Sequence, residues 1–475
     1  MNQYRTPLYD ALVCHANKRS TSFHVPGHKN GIYFPEKAQS HFSSVLEIDV
    51  TELTGLDDLH DASGCIQEAE NLLADLYGVQ RSRFLVNGST VGNLAMVFAV
   101  CKENDIVLVQ RNCHKSIING LQLVGVRPVF LSPFVDESTN VSVGVKYETV
   151  QAALDKYPEA KAIILTHPNY YGMAYNLKEI IALAHQKGIP VLVDEAHGAH
   201  FCLGSPFPKS AIEYGADIVV HSAHKTLPAM TMGSYLHINS TIVEAEKVSL
   251  YLSMLQSSSP SYPIMASLDL ARFSLANLKN LGIEESSAFL HNIKEELRAV
   301  PQIKVIDSPM QDPLRIILQT KCSLSGYELQ KLLEQEGIYT EMADPYNVLL
   351  MLPLEPQKRY TKAPLKIKRA LEHYPEKDIV KIYDGSYKIH EAILPYGYKE
   401  LDRYKTAVLP MHEAKGYVCA EMPIPYPPGI PLIMKGEIIT GEHINQFQAL
   451  LKSGARFQGS VNIEEGKIKI YKAER

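Results

Sequence analysis

A lysine follows a short apolar run in the segment HSAHKTLPAM, residues 221–230. The preceding residues, ADIVV, predict a strand, so Lys225 stands close to a strand end. Burying an unpaired ammonium group is costly, and covalent attachment to an aldehyde is one reason to place a lysine there. Ser222 and His224 flank this lysine and offer contacts to a phosphate. A surface lysine in a loop is the ordinary alternative.

A second apolar run, in VLVDEAHGAH at residues 191–200, carries Asp194 to the end of a predicted strand. Ligands bind beyond the carboxyl ends of strands in open α/β sheets. A carboxylate there can pair with a protonated pyridine nitrogen and keep an aromatic ring electron-poor. Ala196 is small enough for a flat ring to lie against it, and His197 can reach the phenolic oxygen of such a ring or the substrate. The alternative is an aspartate that caps the next loop.

Two further segments complete the pattern. LVNGSTVGN at residues 85–93 predicts a strand followed by Ser89 and Thr90 at a helix start, which suits phosphate binding but also a routine helix cap. His114, in RNCHKS, can stack on a cofactor ring or transfer a proton, although a lone loop histidine is often structural. In this order, the four segments predict a pyridoxal-phosphate site in which Lys225 forms the Schiff base.

The elements that must position these residues alternate between helices and apolar strands from about residue 70 to 240. This alternation predicts an α/β domain with a mainly parallel sheet covered on both faces, followed by a smaller C-terminal α/β region. The predicted divisions are an N-terminal segment at 1–50, a large cofactor-binding domain at 51–270, a linking helix and small domain at 271–385, and a C-terminal domain at 386–475.

Composition narrows the functional classes. The 475 residues are 45% hydrophobic and 21% charged with a net charge of −5, which gives no reason to expect nucleic acid or membrane as a partner. No apolar run suits a transmembrane helix, and the N-terminus is too polar for a secretory signal, so we expect a cytoplasmic protein. Seven scattered cysteines without a C-x-x-C pair predict neither a disulfide framework nor a metal site. The DEAH string at 194–197 also occurs in helicases, but the chain has no GxxxxGK[ST] loop to hold a nucleotide.

The chain resembles the ornithine/lysine/arginine decarboxylases, pyridoxal-phosphate enzymes of the aspartate-aminotransferase fold, or fold type I. It is most similar to the shorter Gram-positive branch, which lacks the N-terminal wing domain. The resemblance runs nearly end to end. The segments that carry it are FHVPGHKNG (23–31), LTGLDDLHDASGCIQEAE (53–70), FLVNGSTVGN (84–93), VQRNCHKS (109–116), DEAHGAHF (194–201), SAHKTLPAM (222–230), SSSPSYPIMASLD (257–269) and PYPPGIPLIMKGE (425–437).

The resemblance implies roles for the predicted site residues. Lys225 would carry pyridoxal 5′-phosphate, Asp194 would hold its pyridine nitrogen, and His114 would stack on its ring; with His197 these form the expected catalytic set. The implied phosphate ligands are Ser89, Thr90, Ser222, His224 and, from a neighbouring subunit, Ser258. Because this fold builds its sites at a dimer interface, we expect a homodimer or an oligomer built from dimers.

The resemblance also implies a reaction, the loss of carbon dioxide from arginine, lysine or ornithine to give an amine for polyamine biosynthesis. His28 and Glu437 would line the substrate entrance. Glu341, Asp344 or Glu437 would face the basic end of the substrate, and each is equally suited to be a solvated surface acid. Many relatives read PGE where this chain reads KGE at 435–437, which leaves the conformation of that loop open.

Two alternatives stay open at this point. The spacing of DEAH and S-x-H-K is also typical of α-oxoamine synthases and carbon–sulfur lyases, which share the cofactor. A protein of another class would hold pyridoxal phosphate without catalysis. The first alternative leaves the PGH, LDDLH and YPPGIP segments unexplained, and the intact set of lysine, aspartate and histidine argues against the second.

Overall fold

A computed structural model describes residues 1–136, 139, 141–308, 310–377, 392–426, 431–452, 456–460 and 462–472. Residues 427–430 of the predicted PYPPGIPLIMKGE motif lie outside the described residues. The chain divides into two compact units: unit 1 comprises 1–100, 184–205 and 209–283, and unit 2 comprises 101–183, 206–208 and 284–475. This division follows compactness alone, so the boundaries predicted after residues 50, 270 and 385 stay predictions. Within the described ranges, no helix has the length and apolar character of a membrane span.

The helices are α1 (Pro7–Asn17), α2 (Glu36–Glu47), α3 (Cys65–Tyr77), α4 (Gly88–Val100), α5 (Lys115–Val124), α6 (Tyr147–Lys156), α7 (Lys178–Gln186), α8 (Ala223–Thr226), α9 (Ala245–Leu255), α10 (Tyr262–Leu281), α11 (Glu284–Arg298), α12 (Gly326–Gln335), α13 (Ala363–Leu371), α14 (Tyr398–Leu401) and α15 (Gly441–Lys452). The strands are β1 (Arg81–Leu85), β2 (Ile106–Gln110), β3 (Arg127–Leu131), β4 (Val135–Asp136), β5 (Val141–Ser142), β6 (Ala162–Thr166), β7 (Val191–Asp194), β8 (Ile218–His221), β9 (Ser234–Ile238), β10 (Ile303–Ile306), β11 (Arg315–Thr320), β12 (Met342–Ala343), β13 (Asn347–Met351), β14 (Ala392–Ile393), β15 (Thr406–Pro410), β16 (Val418–Cys419), β17 (Ile424–Tyr426), β18 (Arg456–Gln458) and β19 (Lys467–Tyr471).

In unit 1, four strands lie side by side in the order β1, β9, β8, β7. Strands β7 and β8 are parallel, whereas β9 runs antiparallel to both β8 and β1. Every residue of β7, β8 and β9 is buried, as expected for strands that are covered on both faces. Helices α1, α3 and α10 pack together, and α4 packs on α9 and the strands. The apolar runs that the sequence places before Asp194 and Lys225 are therefore confirmed as core strands.

In unit 2, the strand order is β6, β2, β3, β14, with β2 parallel to β6 and β3. A second, antiparallel sheet has the order β10, β11, β13, β12 and packs with α11 and α12. Helix α12 begins at a capping box formed by Ser325 and Glu328. Near the C-terminus, β15, β19 and β16 form an antiparallel sheet whose core includes Phe447 and Ile468. The predicted alternation of strands and helices and the second α/β region are thus confirmed.

Candidate active site

Lys225 lies in the short helix α8, directly after β8. Its Nζ atom is 3.0 Å from Nε2 of His197, which is only 4% exposed. The sequence predicts both residues as catalytic but does not predict their contact. The structure brings them together because both follow the carboxyl ends of adjacent parallel strands.

Asp194 is the last residue of β7 and is 3% exposed. Its Oδ2 atom accepts a hydrogen bond from Asn93 Nδ2 of α4 at 2.8 Å, and its Oδ1 atom accepts one from the Ala196 backbone N–H at 3.2 Å. Two donors thus stabilise a negative charge on a buried carboxylate. Ala196, which the sequence proposes as the residue beneath a flat ring, is itself buried.

The predicted phosphate site lies at the start of α4. Gly88 begins this helix with φ at +75°, a conformation that favours glycine. The buried Ser222 hydroxyl donates to Ser89 Oγ at 2.8 Å, which joins the loop after β8 to the helix start. Thr90 is exposed beside Ser89. These hydroxyls lie at the amino end of a helix, a position that suits a phosphate.

His224 lies beside Lys225 in helix α8, where its Nδ1 atom is 2.9 Å from the Gly233 carbonyl oxygen. Burial lowers the pKa of His224 below its ordinary value. A neutral ring donates from Nδ1 to that carbonyl, which fixes the ring and leaves Nε2 as an acceptor. The role of His224 as a phosphate ligand stays a prediction.

Two other predicted residues of unit 1, Ser258 and His28, have no contact among those described above for the candidate active site. Ser258 is exposed, and the next residue towards the N-terminus, Ser257, donates its backbone N–H to Asn87 Oδ1 at 3.3 Å in the same chain. His28 uses both ring nitrogens: Nε2 is 3.1 Å from Asp49 Oδ2, and Nδ1 accepts from the Gly31 N–H at 3.1 Å. The contact of Ser258 with a neighbouring subunit and the substrate role of His28 stay predictions.

The remaining predicted residues belong to unit 2. His114 caps the start of α5, where its Nδ1 atom accepts from the Ser116 N–H at 3.2 Å. Glu341 is exposed. The Asp344 carboxylate accepts from the Tyr171 hydroxyl and from Asn347 Nδ2 at 2.9 Å, and desolvation raises its pKa. The proposed contacts of these residues with cofactor or substrate stay predictions.

Glu437 forms a buried ion pair that the sequence does not predict. Its carboxylate binds both terminal nitrogens of Arg111, with 2.5 Å between Arg111 Nη2 and Glu437 Oε2, and also accepts from the Met434 N–H at 2.8 Å. Arg111 is 2% exposed and Glu437 is 4% exposed. The pair connects the C-terminal segment to the residue that follows β2, three positions before His114.

Substituting Glu437 with alanine is expected to lower the free energy of unfolding by about 3–5 kcal/mol, because Arg111 would keep an uncompensated buried charge. The double variant Arg111→Met, Glu437→Leu should recover most of this loss. The control is Glu103→Ala, which breaks an exposed ion pair with Lys399 and should cost less than about 1 kcal/mol. Urea unfolding measures all three, and equal losses in the two single variants would contradict the prediction.

A chain of buried polar side chains, here called the histidine chain, comprises Ser82, His237, His221 and Glu195. Ser82 Oγ is 2.8 Å from His237 Nδ1, His237 Nε2 is 3.1 Å from His221 Nδ1, and His221 Nε2 is 2.7 Å from Glu195 Oε2. All four side chains are at most 2% exposed. The Tyr77 ring packs on His237 with 4.4 Å between ring centroids. The histidine chain therefore lies wholly inside unit 1.

Acidification is expected to destabilise the wild-type protein more steeply than the His237→Gln variant. Burial, followed by the neighbouring His221, holds the pKa of His237 well below its ordinary value. The folded protein thus keeps the ring neutral, while the unfolded chain takes up a proton below about pH 6.5. Stability present above that pH is lost as the pH falls towards the folded-state pKa, with a slope of up to about 1.4 kcal/mol per pH unit.

Urea unfolding between about pH 7.5 and about pH 5.5 measures this slope. The control variant is His412→Gln, at a histidine whose side chain is 74% exposed, and it should keep the wild-type slope. A His237→Gln variant with the wild-type slope would show that His237 is not the group responsible.

Comparison with known families gives two matches. The model described as Orn/Lys/Arg decarboxylase, major domain, matches residues 6–314, and the one described as Orn/Lys/Arg decarboxylase, C-terminal domain, matches residues 387–469. A Bacillus subtilis protein, uncharacterized protein YaaO, is 48% identical over 98% of each chain. An arginine decarboxylase of Bacillus subtilis is 33% identical and covers 100% of this chain and 99% of its own.

Solved structures confirm the predicted fold. The Escherichia coli constitutive lysine decarboxylase superposes with a TM-score of 0.80 at 21% identity, over 99% of this chain and 82% of that chain. A serine palmitoyltransferase from S. paucimobilis with a bound PLP–myriocin aldimine superposes with a TM-score of 0.52 at 19% identity, over 71% of this chain and 82% of that chain. The family model matches residues 6–314, and the Bacillus subtilis arginine decarboxylase is 33% identical over the full chain. The chain therefore belongs to the Orn/Lys/Arg decarboxylase family.

Proposed function

We propose that this chain is a pyridoxal-phosphate-dependent decarboxylase of a basic amino acid. The observation that carries the proposal is the contact of Lys225 Nζ with His197 Nε2 at 3.0 Å, in a unit that also buries Asp194 at the end of the adjacent strand. The donor set fits the cofactor: an amine for its aldehyde, a buried carboxylate for its pyridine nitrogen, and paired hydroxyls at a helix start for its phosphate.

When bound, pyridoxal phosphate supplies an electron-poor ring that accepts the electrons of the broken bond between Cα and the carboxylate. Asp194 keeps the pyridine nitrogen protonated and so sustains the electron demand of the ring. Ser89 and Ser222 would bind the phosphate. Lys225 would hold the cofactor through its Nζ atom, and the same atom would hold the proton that returns to Cα. His197 orients that Nζ atom through the 3.0 Å hydrogen bond.

The proposed substrate class follows from the family, whose name covers ornithine, lysine and arginine. Full-length relatives are named arginine decarboxylase, and more distant ones lysine decarboxylase. The basic end of the substrate needs an acidic partner. Glu341, whose side chain is exposed, is one of the carboxylates predicted to bind it. We also propose that the protein is a homodimer and that the amine it forms is used in polyamine biosynthesis.

The test is a competition among substrates. Purified protein loaded with pyridoxal phosphate is given arginine, lysine and ornithine together, and mass spectrometry follows agmatine, cadaverine and putrescine. One amine that forms while its parent amino acid disappears would support the proposal and name the substrate. A protein that binds the cofactor through Lys225 but forms no amine would favour the α-oxoamine synthase or carbon–sulfur lyase reactions, or binding without catalysis.

A further inference from the structure

Two adjacent strand ends in unit 1 each carry one residue of the candidate active site and one residue of the histidine chain. At the end of β7, Asp194 contacts helix α4, whereas Glu195 contacts His221. At the end of β8, Ser222 contacts helix α4, whereas His221 contacts Glu195. Successive residues of an extended chain point to opposite sides. The histidine chain therefore lies directly behind the residues that we assign to the cofactor.

The two strand ends are also joined by their backbones. The Glu195 N–H donates to the Val220 carbonyl at 2.9 Å, and the Ser222 N–H donates to the Ala196 carbonyl at 3.2 Å. The bond of 2.7 Å between Glu195 and His221 adds a side-chain link between the same two loops. One of these loops continues to His197 and the other to Lys225. Three links between the two chain segments therefore lie within five residues of His197 and Lys225.

Three donors surround the Glu195 carboxylate. It accepts from Ser210 Oγ at 2.5 Å, from the Ala211 N–H at 2.7 Å and from His221 Nε2. Because a carboxylate only accepts, His221 donates from Nε2 to Glu195. His237 lies next in the chain, with its Nε2 atom 3.1 Å from His221 Nδ1. These contacts hold the Glu195 carboxylate and the His221 ring in place.

We propose that Glu195 and His221 are positioning residues, which hold Asp194 and Lys225 at the separation that the reaction needs. This inference rests on the proposed function. Neither residue is assigned a contact with cofactor or substrate; each acts by fixing the loop that carries a catalytic residue. Displacing reacting groups by about 1 Å can cost about a hundredfold in rate, so a link this close to Lys225 bears on catalysis as well as on stability.

A matched cluster lies at the opposite ends of the same strands and provides the control. Asp217, just before β8, accepts from the Val191 N–H at 2.8 Å, from Ser240 Oγ at 2.5 Å, and lies 2.8 Å from His185 Nε2. It repeats the combination of carboxylate, histidine and hydroxyl at the amino ends of β7 and β8. Asp217→Asn therefore measures what loss of such a cluster does to stability alone.

The first experiment compares Glu195→Gln with Asp217→Asn. Glutamine offers one oxygen to the three donors at position 195, so it must turn an N–H towards another N–H. Both variants should melt earlier than wild type. Only Glu195→Gln should bind pyridoxal phosphate about tenfold more weakly, shift the visible absorbance of the Lys225-linked cofactor, and lower kcat about 10- to 100-fold with little change in KM. Equal effects of the two variants on these three readouts would overturn the inference.

The second experiment uses His221 and keeps the inference testable if Glu195→Gln does not fold. His221→Gln retains an N–H donor for Glu195 and should stay close to wild type in cofactor affinity and absorbance, whereas His221→Leu should lose both. Equal behaviour of these two variants would overturn the inference. A wild-type protein with neither the visible band nor any amine would instead overturn the proposed function, and the inference with it.

Discussion

Replacing Lys225 with alanine is expected to abolish the visible absorbance of the cofactor-loaded protein and to lower amine formation by about 10³-fold or more. Under the proposed function, the variant would lose the covalent attachment point and the amine that returns a proton to Cα. It also leaves His197 without the partner that lies 3.0 Å from its Nε2 atom. Absorbance spectra and steady-state rates measure the two losses separately.

The matched control is Lys247→Ala, at a lysine whose side chain is 53% exposed and pairs with Glu244. This variant should keep both the visible band and the rate, because an exposed ion pair contributes little. A Lys225→Ala protein with an unchanged spectrum would refute the assignment of the cofactor. A lost spectrum with an unchanged rate would refute the role of the cofactor in the reaction.

Replacing Asp194 with asparagine is expected to lower kcat about 10²- to 10³-fold while the protein stays folded. Asparagine keeps the volume of the buried side chain but removes the charge that, under the proposed function, would hold the pyridine nitrogen protonated. Asn93→Ala, which removes the donor at 2.8 Å from Asp194 Oδ2, should cost less, about tenfold. The steady-state rates of both variants are compared with those of Asp217→Asn, at a buried aspartate before β8.

The order of effects is the critical result for Asp194. A loss in Asp194→Asn no larger than that in Asp217→Asn would mean that burial of a charge, and not its position at the end of β7, governs the rate. A loss confined to KM would place Asp194 in substrate binding.

Much of the fold could be predicted from the sequence, because buried parallel strands leave a strong pattern. The runs VLVD and IVVH are entirely apolar before their last residues, and both are confirmed as buried strands, one ending at Asp194 and the other four residues before Lys225. The glycine and hydroxyl residues after β1 likewise predicted the start of α4, which begins at Gly88. The sequence analysis did not predict strand β9, whose residues are SYLHI. Its antiparallel direction could not be predicted either, because the residues of a strand do not indicate the direction in which it runs.

The polar contacts behind the site could not be predicted in the same way. Glu195 and His221 stand beside residues with a more obvious chemistry, and their pairing depends on the alignment of β7 with β8, which a single sequence does not reveal. Glu437 was predicted as a substrate residue because it is an acid in a characteristic segment. Its partner Arg111 is 326 positions away, so the sequence offered no signal for a structural ion pair.

The Arg111–Glu437 pair also bears on how such chains diverge. An arginine that is neutralised by a residue so distant in sequence cannot change independently of it, since either loss leaves a buried charge. Descendants of this chain should therefore inherit the two residues together or exchange them together. A descendant that lost the C-terminal segment would have to replace Arg111 at the same step. We therefore expect the C-terminal segment to be retained together with the major domain.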